Sequence, residues 1–158
     1  MQIRDAVPAD AAAACEVLRR SVSGLCVADH HNDPEVLRRW LANKTPEIVA
    51  SWIANPNSSM LVAVEAGAIL AVGAVTDRGE ITLNYVSPEA RFRGVSRALV
   101  RALEERAIER GASRCTLLST STARRFYRAI GYAEDAPRQS KFGDAGGYPM
   151  SKTLSGAD

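Results

Sequence analysis

Between positions 91 and 97 the chain reads Arg-Phe-Arg-Gly-Val-Ser-Arg, placing three guanidinium groups around two small residues. An apolar run enters this stretch and an amphipathic run leaves it. The first turn of a helix leaves backbone N–H groups without partners and favours negative charge. Arg91 and Arg93 offer planar donor pairs to phosphate oxygens. Gly94 and Ser96, at alternate positions, let a bulky anion approach the backbone. Arg91, Phe92, Arg93, Gly94, Val95, Ser96 and Arg97 therefore read as an anion cradle at a helix start. No Gly-Lys-Ser/Thr follows and no G-x-G-x-x-G is present, so this is neither a P-loop nor a dinucleotide fingerprint.

A second group of chemically capable residues lies just upstream. Strand alternation puts Glu80, Thr82 and Asn84 on one face, with Ile81, Leu83 and Tyr85 on the other. A central strand covered on both faces is apolar on both, so a polar face here marks a wet cleft. Two readings of Glu80 stand: a base whose pKa is raised by apolar neighbours, or a solvated hairpin residue beside Gly79. Asn84 could instead hold a water that relays a proton. His30 and His31, with Asp29 and Asp33, have the residue types of a metal site. Adjacent histidines point in different directions, however, and no third ligand has metal-site spacing. They read as a polar loop, with His30 a candidate acceptor-side contact.

The elements that must position these residues follow from periodicity and punctuation. A short strand is expected at residues 2–5, and a helix opened by Pro8 ends near Gly24 with Ala11, Ala14, Cys15, Leu18 and Val22 inward. Residues 28–34 read as a polar turn. Asp33-Pro34 and Thr45-Pro46 are paired cap and N1 signals for two further helices. Trp40 and Trp52 fall on the apolar stripes of those helices. Strands follow at 60–65, 68–76 and 80–86, joined by turns at Ala66-Gly67 and Asp77-Arg78-Gly79. A helix then buries Val95, Ala98, Leu99, Ala102 and Leu103 and stops at Gly111. A strand at 115–118 precedes a helix capped by Thr120 or Ser121. A strand at 132–136, a polar loop at 137–147 and a final strand at 148–154 complete the order. The hairpins make the middle of the sheet antiparallel, and the helical crossover makes the next pair parallel. The expected class is an α/β single domain, a mixed, mainly antiparallel sheet of six to seven strands flanked by helices on both faces. The domain is expected over 1–155 with a short tail at 156–158.

Composition narrows the function. At 158 residues, 46% hydrophobic and 24% charged, the chain has the balance of one soluble globular domain. A net charge of +2 and the absence of a basic run speak against nucleic acid. Three widely spaced cysteines give neither a disulfide framework nor metal spacing, which suits a reducing cytoplasm. No apolar segment has the length of a membrane span.

The pattern Arg91-x-x-Gly94-x-Ser96 resembles the acetyl-CoA pyrophosphate loop of the GNAT superfamily of acyl-CoA N-acyltransferases, Gln/Arg-x-x-Gly-x-Gly/Ala, with Ser96 in the last small position. A second stretch is similar to the superfamily's Asn-x-x-Ala-x-x-Phe-Tyr-x-x-x-Gly-Phe/Tyr: Ala123, Phe126-Tyr127 and Gly131-Tyr132 are in place, and Thr120 stands where Asn is usual. The element order also matches along nearly the whole chain.

The resemblance implies acetyl transfer from acetyl-CoA, as acyl-donor co-substrate and without a metal, to a primary amine by direct attack. Tyr127 resembles the acid that protonates the departing thiolate, although it also fits an ordinary core stripe. Glu80 falls where the histone-acetylating branch keeps a catalytic glutamate. Backbone groups of Tyr85, Val86 and Ser87 are expected to pair with the pantetheine arm. Residues 91–97 are expected to hold the diphosphate, and Thr120, Ala123 and Phe126 to line the cofactor site. Arg124, Arg125 and Arg128 either reach the 3′-phosphate or form a solvated face. The acceptor is a small-molecule amine, a protein lysine or a protein N-terminus, shaped by residues 23–59. Homodimers are common in the superfamily. The alternative is a CoA-binding sensor or interaction module that keeps the cradle without the chemistry.

Overall fold

The computed structural model describes residues 1–139 and 147–154. Seven strands form one sheet: β1 (Gln2–Asp5), β2 (Ser58–Glu65), β3 (Ala68–Thr76), β4 (Glu80–Val86), β5 (Arg114–Ser119), β6 (Ala133–Glu134) and β7 (Tyr148–Thr153). Their order across the sheet is β1-β2-β3-β4-β5-β7-β6. Every neighbouring pair is antiparallel except β4 and β5, which are parallel as the crossover requires. The expected mixed sheet is present with seven strands.

The helices are α1 (Ala11–Leu25), α2 (Val27–His30), α3 (Pro34–Leu41), α4 (Pro46–Ile53), α5 (Val95–Glu109) and α6 (Arg124–Ala129). The cap signals work as read. Asp33 Oδ1 accepts the N–H of Glu35 at 2.9 Å and starts α3, and Thr45 Oγ1 accepts the N–H of Ile48 at 3.2 Å and starts α4. Pro8 opens a 3-10 turn over Pro8–Asp10 rather than α1 itself.

Two cores sit on the two faces of the sheet. On one, Val95, Leu99, Val100 and Leu103 of α5 cover Leu61, Ala71, Val75 and Ile81, together with Leu117, Tyr127 and Met150. On the other, Ala14, Cys15 and Leu18 of α1 and Val49 of α4 cover Val62, Val72 and Leu83. Gly73 lets α5 lie close to β3: a Cβ there would come within 2.9 Å of Leu103 Cδ1.

Two expectations are corrected here. Residues 27–30 form the short helix α2, where the sequence suggested only a polar turn; four residues are too few to show a helical period. The strand expected at 132–136 shrinks to Ala133–Glu134 at the sheet edge, pairing with β7. The loop expected at 137–147 and the tail at 156–158 fall largely or wholly outside the described residues.

Candidate active site

The site begins where β4 and β5 part. Their parallel pairing lasts for two residue pairs, Glu80 with Thr116 and Ile81 with Leu117. Beyond it the strands separate, and a cavity of about 450 Å³ fills the space. Ser21, Leu25 and Cys26 line it from the α1 side, and Ala123, Phe126 and Tyr127 from the α6 side.

A bulge in β4 decides which side chains reach this cavity. Ala74 pairs with Leu83 but Val75 pairs with Ile81, so Thr82 is an extra residue. Ile81 packs under α5 while Leu83 packs under α1, on opposite faces of the sheet. The alternation read from the sequence is broken here, and Glu80 and Asn84 do not share a face. Glu80 is exposed at the start of β4 and does not line the cavity. The structure does not bring it to Tyr127.

Asn84 does meet Tyr127. Its Nδ2 donates to the Tyr127 hydroxyl at 2.9 Å. With the amide placed this way the phenol oxygen is an acceptor to Asn84, so its own proton is free for another partner. Asn84 Oδ1 is buried and has no partner in the protein. Tyr127 is 5% exposed, and burial pushes its phenol up to about 12, against the opposing pull of the Asn84 hydrogen bond.

The backbone of β4 also offers unpaired groups. The Ser87 N–H donates to the Leu70 carbonyl at 2.7 Å. Bonded pairs alternate along an antiparallel ladder, so Tyr85 and Leu83 are bonded to β3, whereas Asn84 and Val86 turn their backbone groups toward the departed β5. Val86 thus turns its backbone groups to the gap. The backbone N–H of Ser87 is already taken, and the groups of Tyr85 face β3. The Tyr85 side chain lies on the α1 face near Cys26 and Trp40. Burial raises the Tyr85 phenol above its ordinary range and, with the nearby Asp29 carboxylate, pushes the Cys26 thiol up to about 12.

The cradle stands at the mouth of the cavity. Arg91, Phe92, Gly94, Val95, Ser96 and Arg97 line it. Phe92 at φ 65 and Gly94 at φ 78 turn the chain into α5, and a Cβ on Gly94 would meet open space. Phe92 is 89% exposed, with the Arg91 guanidinium 4.5 Å from its ring. Arg93 points elsewhere: its Nη2 pairs with Glu65 at 2.8 Å. Arg124 and Arg128 are likewise engaged, both with Glu134, and Arg124 stacks 3.7 Å over the Tyr148 ring. Arg125 is exposed. Thr120 lines the cavity and caps the turn before α6 by accepting the Ala123 N–H at 3.2 Å.

His30 does not line the cavity. It is fully buried, with Nε2 donating to the Val22 carbonyl at 2.8 Å and Nδ1 accepting the Asn32 N–H at 3.0 Å. Its ring lies edge-on to Trp40 in the core between α1 and α3. Among the described residues no group of three or more His, Cys, Asp or Glu could hold a metal, and no helix is long and apolar enough to cross a membrane. The residue missed in the sequence is Asp29, which there looked only like part of a failed metal cluster. It reaches the turn before α6, a contact no local pattern announces.

A family model described as an acetyltransferase (GNAT) domain matches residues 27–154. No curated protein sequence matches significantly. A GCN5-related N-acetyltransferase from Rhodopseudomonas palustris superposes with a TM-score of 0.85 at 25% identity, over 97% of this chain and 95% of that one. The PaiA N-acetyltransferase from Thermoplasma acidophilum, in complex with coenzyme A, gives 0.81 at 18% identity, covering 97% and 98%. YncA from Salmonella typhimurium, described as a putative acetyltransferase with its cofactor acetyl-CoA, gives 0.74 at 21%, covering 100% and 96%.

Proposed function

Because this chain belongs to the GNAT acetyltransferase family, we propose that it carries the acetyl group of acetyl-CoA directly to a primary amine. The observation that carries the reading is one cavity bordered by the α5 cradle, the unpaired edge of β4 at Asn84 and Val86, and the Tyr127 phenol. These parts fit the donor's three regions. The first-turn N–H groups of α5, with Arg91 and Arg97, suit a diphosphate. The Val86 and Asn84 backbone groups suit an extended amide arm laid along the strand edge. Thr120, Ala123 and Phe126 form the opposite wall. Bound there, acetyl-CoA supplies an activated thioester carbonyl.

The Val86 N–H is directed toward the developing oxyanion. The amine nitrogen forms a bond to the carbonyl carbon as the carbon–sulfur bond breaks. Tyr127 gives its phenolic proton to the departing sulfur, and solvent restores it. The proton lost by the amine passes to a water donating to Asn84 Oδ1, the buried acceptor without a partner. This assigns to Asn84 the role first considered for Glu80. The acceptor amine, on a small molecule, a lysine or a protein N-terminus, approaches past Ser21, Leu25 and Cys26.

Thiol release from acetyl-CoA over a panel of small amines, a lysine peptide and a free peptide N-terminus tests this. Turnover with at least one amine is expected, and Tyr127→Phe is expected to lower kcat by about 100-fold, the scale of one general acid. Binding of CoA without turnover on any amine would instead mark a cofactor sensor.

A further inference from the structure

Asp29 is 6% exposed within α2, and its carboxylate carries three hydrogen bonds to a distant part of the chain. Oδ1 accepts the Ser121 N–H at 2.6 Å. Oδ2 accepts the Thr122 N–H at 3.2 Å and the Thr122 hydroxyl at 2.6 Å. A buried carboxylate is costly unless donors surround it, and these three are all supplied by the turn that leads into α6.

That turn has few resources of its own. The N-cap residue of α6 is Ala123, which has no capping side chain, and Thr120 satisfies only the Ala123 N–H. Ser121 and Thr122 come just before that cap, and their N–H groups find their acceptor in another element, the Asp29 carboxylate. One turn further on, the Tyr127 N–H donates to the Ala123 carbonyl at 3.0 Å. The turn that Asp29 grips is therefore the base on which the Tyr127 phenol is set against Asn84.

We infer that Asp29 is a positioning residue for acetyl transfer: its grip on Ser121 and Thr122 fixes where the Tyr127 hydroxyl stands. The inference rests on the reading of Tyr127 as the acid. It also ties that acid to α2, the element next to Cys26 on the opposite wall of the cavity.

A double-mutant cycle separates this role from plain structural support. Asp29→Asn keeps the size of the side chain but sets an NH2 group against a donor. It is expected to lower kcat by roughly 20-fold with the amine KM within about 2-fold, because misplacing a reacting group costs rate rather than binding. In the Tyr127→Phe background the same change is expected to lower kcat by less than about 2-fold, since the group it positions is gone. Equal losses in both backgrounds overturn the inference. If Asp29→Asn does not fold, Thr122→Val removes a single one of the three bonds and is read in the same cycle. A readout without turnover accompanies it: in protein labelled at the tyrosine ζ-carbon, the Tyr127 resonance, identified by its absence from Tyr127→Phe, is expected to move in Asp29→Asn. An unmoved resonance overturns the positioning role. Should Tyr127→Phe prove fully active, the acid reading fails, and the resonance alone decides whether Asp29 places this side chain.

Discussion

At the scale of single residues, the site pairs a phenol with an amide. Burial raises the Tyr127 phenol to about 12, so in the proposed mechanism it keeps its proton over the range in which an amine becomes free to attack. The rate should rise as the amine loses its proton, with no alkaline decline from the acid up to pH ~10. Glu80, exposed and separated from Asn84 by the bulge at Thr82, has no part in that profile under the proposed mechanism. Glu80→Gln is expected to leave kcat/KM within about 2-fold at every pH, the scale of an exposed change away from the chemistry. A loss of 10-fold or more, with the acidic limb displaced, would return the base to Glu80. The sequence could not decide this. Strict alternation put Glu80 and Asn84 together, and one inserted residue turned the faces over.

At the scale of elements, the junction depends on Gly79. It sits at φ 93, and a Cβ there would collide with the Arg114 carbonyl oxygen. Its own carbonyl accepts the Thr116 N–H at 2.9 Å. This contact starts the two-pair ladder that joins β4 to β5. Gly79→Ala is expected to destabilise the protein by about 2 kcal/mol or more, because strained φ and backbone collision add. Thermal melting checks it, and an unchanged Tm would show that the ladder can shift without cost. Most elements were legible in the sequence. Asp33-Pro34, Thr45-Pro46 and Gly111 mark boundaries by local chemistry, and the stripe from Val95 to Leu103 has a clear period. What was hidden depends on contacts far along the chain. Val27–His30 is too short for a period, so His30 looked like a loop residue although the fold buries it completely. Asp29 looked idle because its partners lie 92 and 93 residues away.

At the scale of the whole molecule, ion pairs fasten the helical layers to the sheet edge. Arg106 of α5 pairs with Asp5 of β1 at 2.8 Å, and Arg4 pairs with Asp10 before α1 at 2.8 Å. The arginine hydrogen bonds hold Asp5 and Asp10 below the usual carboxylate range. A carboxylate with a depressed folded-state pKa stabilises the fold above its unfolded pKa, near ~4, and that contribution is lost as pH falls through the folded value. The Tm should therefore hold down to pH ~5 and drop below ~4. Asp10→Asn should lower the Tm at neutral pH and flatten the acid drop; an equally steep drop would place the acid sensitivity elsewhere.

The parting of β4 and β5 leaves a mark that deuterium would read. Leu83 and Tyr85 give their amides to the ladder with β3, while Asn84 and Val86 turn theirs to the gap. One strand is thus expected to hold slow and fast exchanging amides in alternation, and an extended donor seated along it would bring the fast pair to the rate of their neighbours.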